Sequence, residues 1–321
     1  MKRILSILIA TMLVMSLVAC GSSSGGDVKK PSNVSTNNTS SEENQQSEQS
    51  EKQEVSTNNI SSEVNQQSEQ SEKQEVTISE AVLVDEAGIK ITAKSLSTDE
   101  IFGPEIKLLI ENNSGKDLTF QCRNASVNGY MVETMMSADV VNGKKANDSL
   151  TFMESDFETC GIDTIADVEF SFHVFDMSDW ETYLDTALIQ IKTSAADTYE
   201  YKFDDSGDVA YEGNGLKVVI KGLAEDSSIF GPSIVVYIEN NSDKNVTVQT
   251  RDVSINGFMV DAMFSCDVVA GKHAVDTITF MDTDLEENEI TAIEDVELSF
   301  HVFEADGWDT IVDTDVVTIT F

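Results

Sequence analysis

From Leu216 the chain reads LKVVI, from Ile234 IVVYI, from Val246 VTV and from Val296 VELSFHV. Short runs of β-branched and aromatic residues, several alternating with polar ones, predict strands. Turn-forming sequences separate them: Asn240-Asn241-Ser242-Asp243, Asn256-Gly257 and Ala270-Gly271-Lys272. Asn-Gly is the strongest of these signals, because both central residues of a type I′ hairpin turn need positive φ. One stretch departs from the pattern. Leu285, Ile290, Ile293 and Val296 have the spacing of a short helical or 3₁₀ crossover.

The whole pattern occurs twice. IENNSGKDLTF begins at Ile110 and IENNSDKNVTV at Ile238, a spacing of 238 − 110 = 128 residues. Ile101 to Thr193 aligns with Ile229 to Phe321 without insertion. IFGP recurs, VNGYMV returns as INGFMV, SLTFM as TITFM and VEFSFHVF as VELSFHVF. Upstream, GIKITAKSL matches GLKVVIKGL once a single residue is inserted in the following turn. A period of this length is domain-sized, not a solenoid repeat. The expected fold is all-β: two tandem β-sandwich domains, residues 77–204 and 208–321, joined at Asp204-Asp205-Ser206-Gly207-Asp208.

The sequence NNSxKx(V/L)T, then NG(Y/F)MV, a VxGK turn and a late FHVF strand resemble the immunoglobulin-like, telokin-like domains found on many bacterial lipoproteins. Those families have no known function. The resemblance implies an immunoglobulin-like fold and a surface setting, and it carries no catalytic residues. The Cys–Trp–Cys core of antibody domains is absent.

The start of the chain, MKRILSILIATMLVMSLVACGSSSGG, has a basic end and then an apolar run. That run is shorter than the roughly 20 residues of a spanning helix, which predicts a signal peptide over 1–19. Leu17-Val18-Ala19-Cys20-Gly21 resembles a bacterial lipobox. It implies acylation of Cys20, a membrane partner through that anchor, and a place on the extracytoplasmic side of the cell membrane. Residues 20–76 read as a disordered acidic tether. Within it VSTNNTSSEENQQSEQSEKQE, from Val34, is repeated from Val55 with two substitutions. Too few apolar residues are present to offset the entropy of ordering.

A formal net charge of −38 argues against nucleic acid and anionic bilayers as partners. It leaves basic partners, divalent cations, or simply a solvated surface. Asp282, Asp284 and Glu286, matched by Glu154, Asp156 and Glu158, are the candidate Ca²⁺ ligands. The EF-hand pattern fails there, with Glu287 at the Gly position and Ile293 at the bidentate Glu position. The other reading is a strand whose acids face solvent, so no metal or cofactor is assigned. His173 and His301 share one strand position and read as hydrogen-bonded structural residues, while His273 faces Lys145 in the alignment. No HExxH, CxxC or Gly-rich phosphate loop occurs, no Ser–His–Asp or Cys–His pair follows from spacing, and the expectation is that the chain is not an enzyme.

Cys122 and Cys160 have Thr250 and Asn288 as counterparts, so the fold requires no disulfide. Either those two pair and Cys266 stays free, or all three are thiols. Trp180 and Trp308 recur among acids, either as stacking platforms for a sugar or peptide or as caps on the sandwich. Phe102 and Phe230 admit the same two readings. Together these observations predict a lipid-anchored surface protein presenting two modules for binding or adhesion to a protein or glycan. A structural envelope lipoprotein without a specific ligand is the alternative.

Overall fold

Strand Glu105–Asn112 shows how the sequence builds the fold. Ile106, Leu108 and Ile110 are buried on one face, and Lys107, Leu109 and Glu111 point to the other. A computed structural model describes residues 28–29, 33–36, 75–98, 100–224 and 228–321, and its described residues are mostly strand, with two short helices. The segment expected to be a signal peptide and Cys20 lie outside the described residues, as does most of the expected tether.

Each copy is a β-sandwich of two antiparallel sheets. In the first copy one sheet runs Ala81–Glu86, Ile89–Ser97, Glu105–Asn112, Lys144–Phe152, Thr134–Met135. The facing sheet is built on Leu118–Val127 and Asp167–Asp176, flanked by Ser137–Val140, Thr182–Asp185 and Ile189–Lys192. The second copy repeats this with Leu216–Ala224, Ser233–Asn240 and His273–Phe280 facing Val246–Ile255 and Asp295–Glu304. The expected Asn-Gly hairpins form, with φ of 51° at Asn128 and Asn256 and positive φ at Gly129 and Gly257.

The twice-used ENNS sequence has a physical reason. Asn112 is fully buried, and its amide donates to Lys116 O at 2.9 Å and Val140 O at 2.6 Å. Its oxygen accepts from the amide and hydroxyl of Ser114 at 3.0 and 2.6 Å. Asn240 makes the same four bonds to Lys244, Val268 and Ser242. A side-chain amide has two donor hydrogens and two acceptor lone pairs, so this one is saturated. It locks the strand end to its turn and to a neighbouring strand.

Two short stretches within the expected tether are strands. Val28–Lys29 pairs antiparallel with Leu223–Ala224, and Asn33–Thr36 pairs with Val317–Thr320. Both add to the second copy, one on each of its sheets, and occupy backbone edges that otherwise stay open.

The two sandwiches belong to one compact unit. Val219 and Tyr237 of the second copy join the hydrophobic core of the first, with Val275 packed against it. His273 pairs with Tyr130 in a parallel bridge, its N–H donating to Gly129 O at 2.9 Å. Phe203 stacks on the His273 ring with centroids 3.7 Å apart, and Tyr237 hydrogen-bonds its Nδ1 at 2.6 Å. Burial holds the His273 imidazole below its usual range, so the stack is neutral. Lys272 and Glu169 close the junction with a half-buried ion pair of 2.8 Å. The connecting run is tied down by Lys221, whose ammonium meets Asp204 at 2.8 Å and holds that carboxyl down to about 2.

Candidate binding hairpins

Among the described residues, a row of packed aromatic side chains recurs at the surface of both copies, built on the strand that ends at Asp176 or Glu304. In the first copy the chain turns through Met177-Ser178-Asp179-Trp180. Trp180 N–H donates to Asp176 O at 2.9 Å, and Asp176 N–H donates to Glu181 O at 3.0 Å. The second copy repeats both bonds at 2.9 Å, from Trp308 to Glu304 and from Glu304 to Asp309. This turn puts its last residue in the left-handed region, at φ 63° for Trp180 and 61° for Trp308. A bulky residue there costs about 1–3 kcal/mol. Gly307 stands next to Trp308, yet the left-handed position carries tryptophan in both copies.

The indoles do not cap the core. Trp180 is 75% exposed and Trp308 76%. Each lays one face on a buried phenylalanine: Phe175 and Trp180 have centroids 5.4 Å apart at 21°, and Phe303 and Trp308 5.4 Å apart at 13°. The phenylalanines are held in turn against His173 and His301, with centroids 5.5 and 5.2 Å away. His173 Nδ1 meets Asp185 at 2.5 Å and His301 meets Asp313 at 2.6 Å, so both histidines are buried and hydrogen-bonded. The result is a rigid row ending in an indole whose outer face is open.

Acids surround the row. Residues 175–186 carry Asp176, Asp179, Glu181 and Asp185, residues 303–314 carry Glu304, Asp306, Asp309 and Asp313, and neither stretch holds a lysine or arginine. At the base, Lys116 pairs with Asp176 at 2.7 Å and, together with Ser178, holds that carboxyl at about 2. Lys244 pairs likewise with Glu304.

The IFGP turns also reach the surface. Ile101 is 92%, Phe102 64% and Ile229 83% exposed, while Phe230 is half-buried. A Cβ on Gly103 or Gly231 would lie 2.1 Å from Phe152 O or Phe280 O, which is why glycine recurs there.

The candidate Ca²⁺ acids do not form a strand row. Glu154–Cys160 and Asp282–Glu287 are short helices, because Phe157 and Leu285 bury one turn each. Their middle acids are bound to backbone: Asp156 accepts from Glu133 N–H at 2.5 Å and Asp284 from Asp261 N–H at 2.6 Å. Asp282, Glu286, Glu154 and Glu158 stay exposed. A helix sends positions i and i+2 to different sides, so the three do not converge. Among the described residues no group of three or more His, Cys, Asp or Glu is placed to hold a metal ion.

Cys122, Cys160 and Cys266 are all free thiols. Burial pushes Cys122 and Cys160 up to about 12 and Cys266 well above its usual value, so none is a ready nucleophile.

No family model and no curated protein matches the chain. Among solved structures it is similar to the crystal structure of red sea bream transglutaminase, at 10% identity and a TM-score of 0.19. That likeness covers 74% of this chain and 31% of the other, so the chain spans under a third of that protein's length. That neighbour is an enzyme, and the expectation that this chain is not one is withdrawn. A likeness this low transfers no activity, substrate or residue.

Proposed function

We propose that the chain is a lipid-anchored surface protein that presents two immunoglobulin-like β-sandwich modules for binding or adhesion. The lipobox and the NNSxKx(V/L)T and NG(Y/F)MV sequences support the setting and the class of module. The observation that carries the binding role is the duplicated hairpin, where an exposed indole is kept on strained backbone and stacked on a buried ring. Backbone strain that recurs at the same tryptophan in two diverged copies points to use of the side chain itself. An exposed indole face on an acidic hairpin, with Asp179 and Glu181 beside Trp180 and Asp306 and Asp309 near Trp308 in the chain, suits a ligand with a flat or cationic group. Two such sites on one chain raise the effective concentration for the second contact.

The test uses the full chain on arrays of wall glycans and matrix proteins, with Trp180→Ala and Trp308→Ala singly and together. Each single variant is expected to weaken retention, and the double variant to abolish it. Retention unchanged in the double variant overturns the binding role of the hairpins. Trp180 and Trp308 are the only tryptophans in the sequence, so intrinsic fluorescence reports directly on both sites.

A further inference from the structure

The internal junction joins two unlike surfaces. One is the hairpin end of the first copy, with Tyr130, Met131 and Glu169; the other is the first-sheet face of the second copy, with Val219, Tyr237, Lys272, His273 and Val275. Such a head-to-tail contact leaves each surface type present once more on the molecule, unused by that junction. The hairpin end of the second copy has Phe258 and Met259, 48% and 65% exposed, where Tyr130 is 4% exposed. The first-sheet face of the first copy carries the equivalent of the other side.

We propose that the Phe258–Met259 end of one molecule docks on the first-sheet face of the first copy in a second molecule of this chain, repeating the internal junction. Backbone placement supports the match. In the first copy Ser126 pairs with both Met131 and Glu169; in the second, Ser254 pairs with both Met259 and Glu297. The same row of methionine, serine and glutamate is therefore held at both ends. The junction ion pair is retained too. Glu169 corresponds to Glu297 and Lys272 to Lys144 (297 − 169 = 272 − 144 = 128), and both spare partners are exposed.

Charge supports the same occupant. Lys90, Lys107, Lys144 and Lys145 lie on the strands of the receiving sheet, in a chain whose net charge is −38. Lys107 already pairs with Glu105 and Lys145 with Glu111, so the charge match rests on Lys90 and Lys144. Phe258 pairs with Ile255, which also pairs with Val296 between Asp295 and Glu297, and Asp261 follows in the same hairpin. The receiving face has Leu109 and Asn147 where the internal face has Tyr237 and Val275, and the counterpart of Val219, Thr92, is already buried. Less apolar surface is buried there, so the contact is weaker than the internal one and depends more on charge. A heterologous contact of this kind does not close on itself, and it builds linear chains of molecules.

Isotopically light and heavy preparations of the full chain are mixed at low salt, treated with a zero-length carbodiimide and analysed by mass spectrometry. The expected product is a light–heavy link between the peptides of Lys144 and Glu297, lost in about 1 M salt, where the Debye length is about 3 Å. Sedimentation velocity is expected to show concentration-dependent growth that Phe258→Glu and Glu297→Lys each reduce. Glu297→Lys combined with Lys144→Glu is expected to restore both growth and the mixed link. These variants change exposed positions, so loss of association is not loss of folding, and circular dichroism checks that. Absence of the mixed link at low salt, growth indifferent to Glu297→Lys, or no rescue by the reversed pair each overturns the proposal.

Discussion

The outer faces of the two first sheets share one backbone and differ in what they meet. In the first copy Thr92, Lys107, Lys145 and Asn147 make that face mostly polar, with Leu109 among them; in the second Val219, Val235, Tyr237, His273 and Val275 occupy the same positions. The second face packs into the core of the first copy, and the first does not have such a cover among the described residues. Duplication therefore supplied two scaffolds of one topology, and a handful of outward substitutions made one of these faces the apolar side of the internal junction. The inward residues stay apolar but trade size, Ala93 for Ile220 and Phe120 for Val248, so that each core still fills the space between its sheets. A fold tolerates divergence at outward positions, and that is where a new interface is written.

The largest expected effect checks that the scaffolds are equivalent. Asn112→Ala and Asn240→Ala each remove a buried amide that satisfies backbone groups on two other segments. Each orphaned donor or acceptor costs about 1–3 kcal/mol, so each variant is expected to lose about 3–5 kcal/mol in chemical denaturation. A large loss at one asparagine and a negligible one at the other would break the equivalence.

The difference between the faces is tested by copying one onto the other. Tyr237→Leu with Val275→Asn installs the first copy's residues at the junction. Lost packing and a buried polar group together cost about 2–4 kcal/mol. The loss is expected as uncoupling, with two resolved unfolding steps in calorimetry where the parent shows one. A single unshifted transition would mean that the junction contributes little.

A third test uses charge at the same boundary. Asp156 in the first copy and Asp276 in the second are both held above the ordinary carboxyl range, by burial first and, for Asp276, also by the charge of Asp156. A carboxyl raised on folding contributes stability that is fully present below its unfolded value of about 3.9 and lost as pH rises through its folded value. Asp276→Asn keeps the acceptor for Thr277 N–H, 2.6 Å away, and removes the charge. It is expected to raise the melting temperature at pH 7, with the gain shrinking toward about pH 4. Asp204 runs the other way, since Lys221 holds it at about 2 and its contribution disappears only as pH falls through that value. A gain that is independent of pH would place the effect of Asp276→Asn outside titration.

Much of this was legible in the residues. The alternation, the Asn-Gly turns and the repeat predict two all-β sandwiches, and the described strands match. The junction was not legible in either copy read alone, because Val219 and Val275 look like ordinary members of apolar strands. It becomes visible when outward positions are compared between copies, Lys107 with Val235 and Asn147 with Val275. The helical spacing of Leu285, Ile290, Ile293 and Val296 locates a helix but not its extent. Only Leu285 lies in it, since the helix is Asp282–Glu287 with a single buried residue, and Val296 already belongs to strand Asp295–Glu304. The left-handed tryptophans escaped for a different reason. Turn propensities place Gly307, not Trp308, at positive φ, and only the backbone bonds to Glu304 and Asp309 shift that position by one residue.

The smallest expected effect bears on those tryptophans. Trp308→Gly removes a side chain that costs about 1–3 kcal/mol of backbone strain and returns about 0.5–1.5 kcal/mol by stacking on Phe303. It also exposes part of Phe303 and loosens the unfolded chain, which works against the variant by up to about 1 kcal/mol. The opposing contributions nearly cancel, so the stability of Trp308→Gly is expected within about 1 kcal/mol of the parent, and Trp180→Gly should behave alike. A residue whose removal leaves the fold indifferent, in both copies, is not there to hold the fold. If either variant instead loses more than about 3 kcal/mol in denaturant titration, the indole is part of the scaffold after all, and the surface row of indole, phenylalanine and histidine is a structural clamp in that copy.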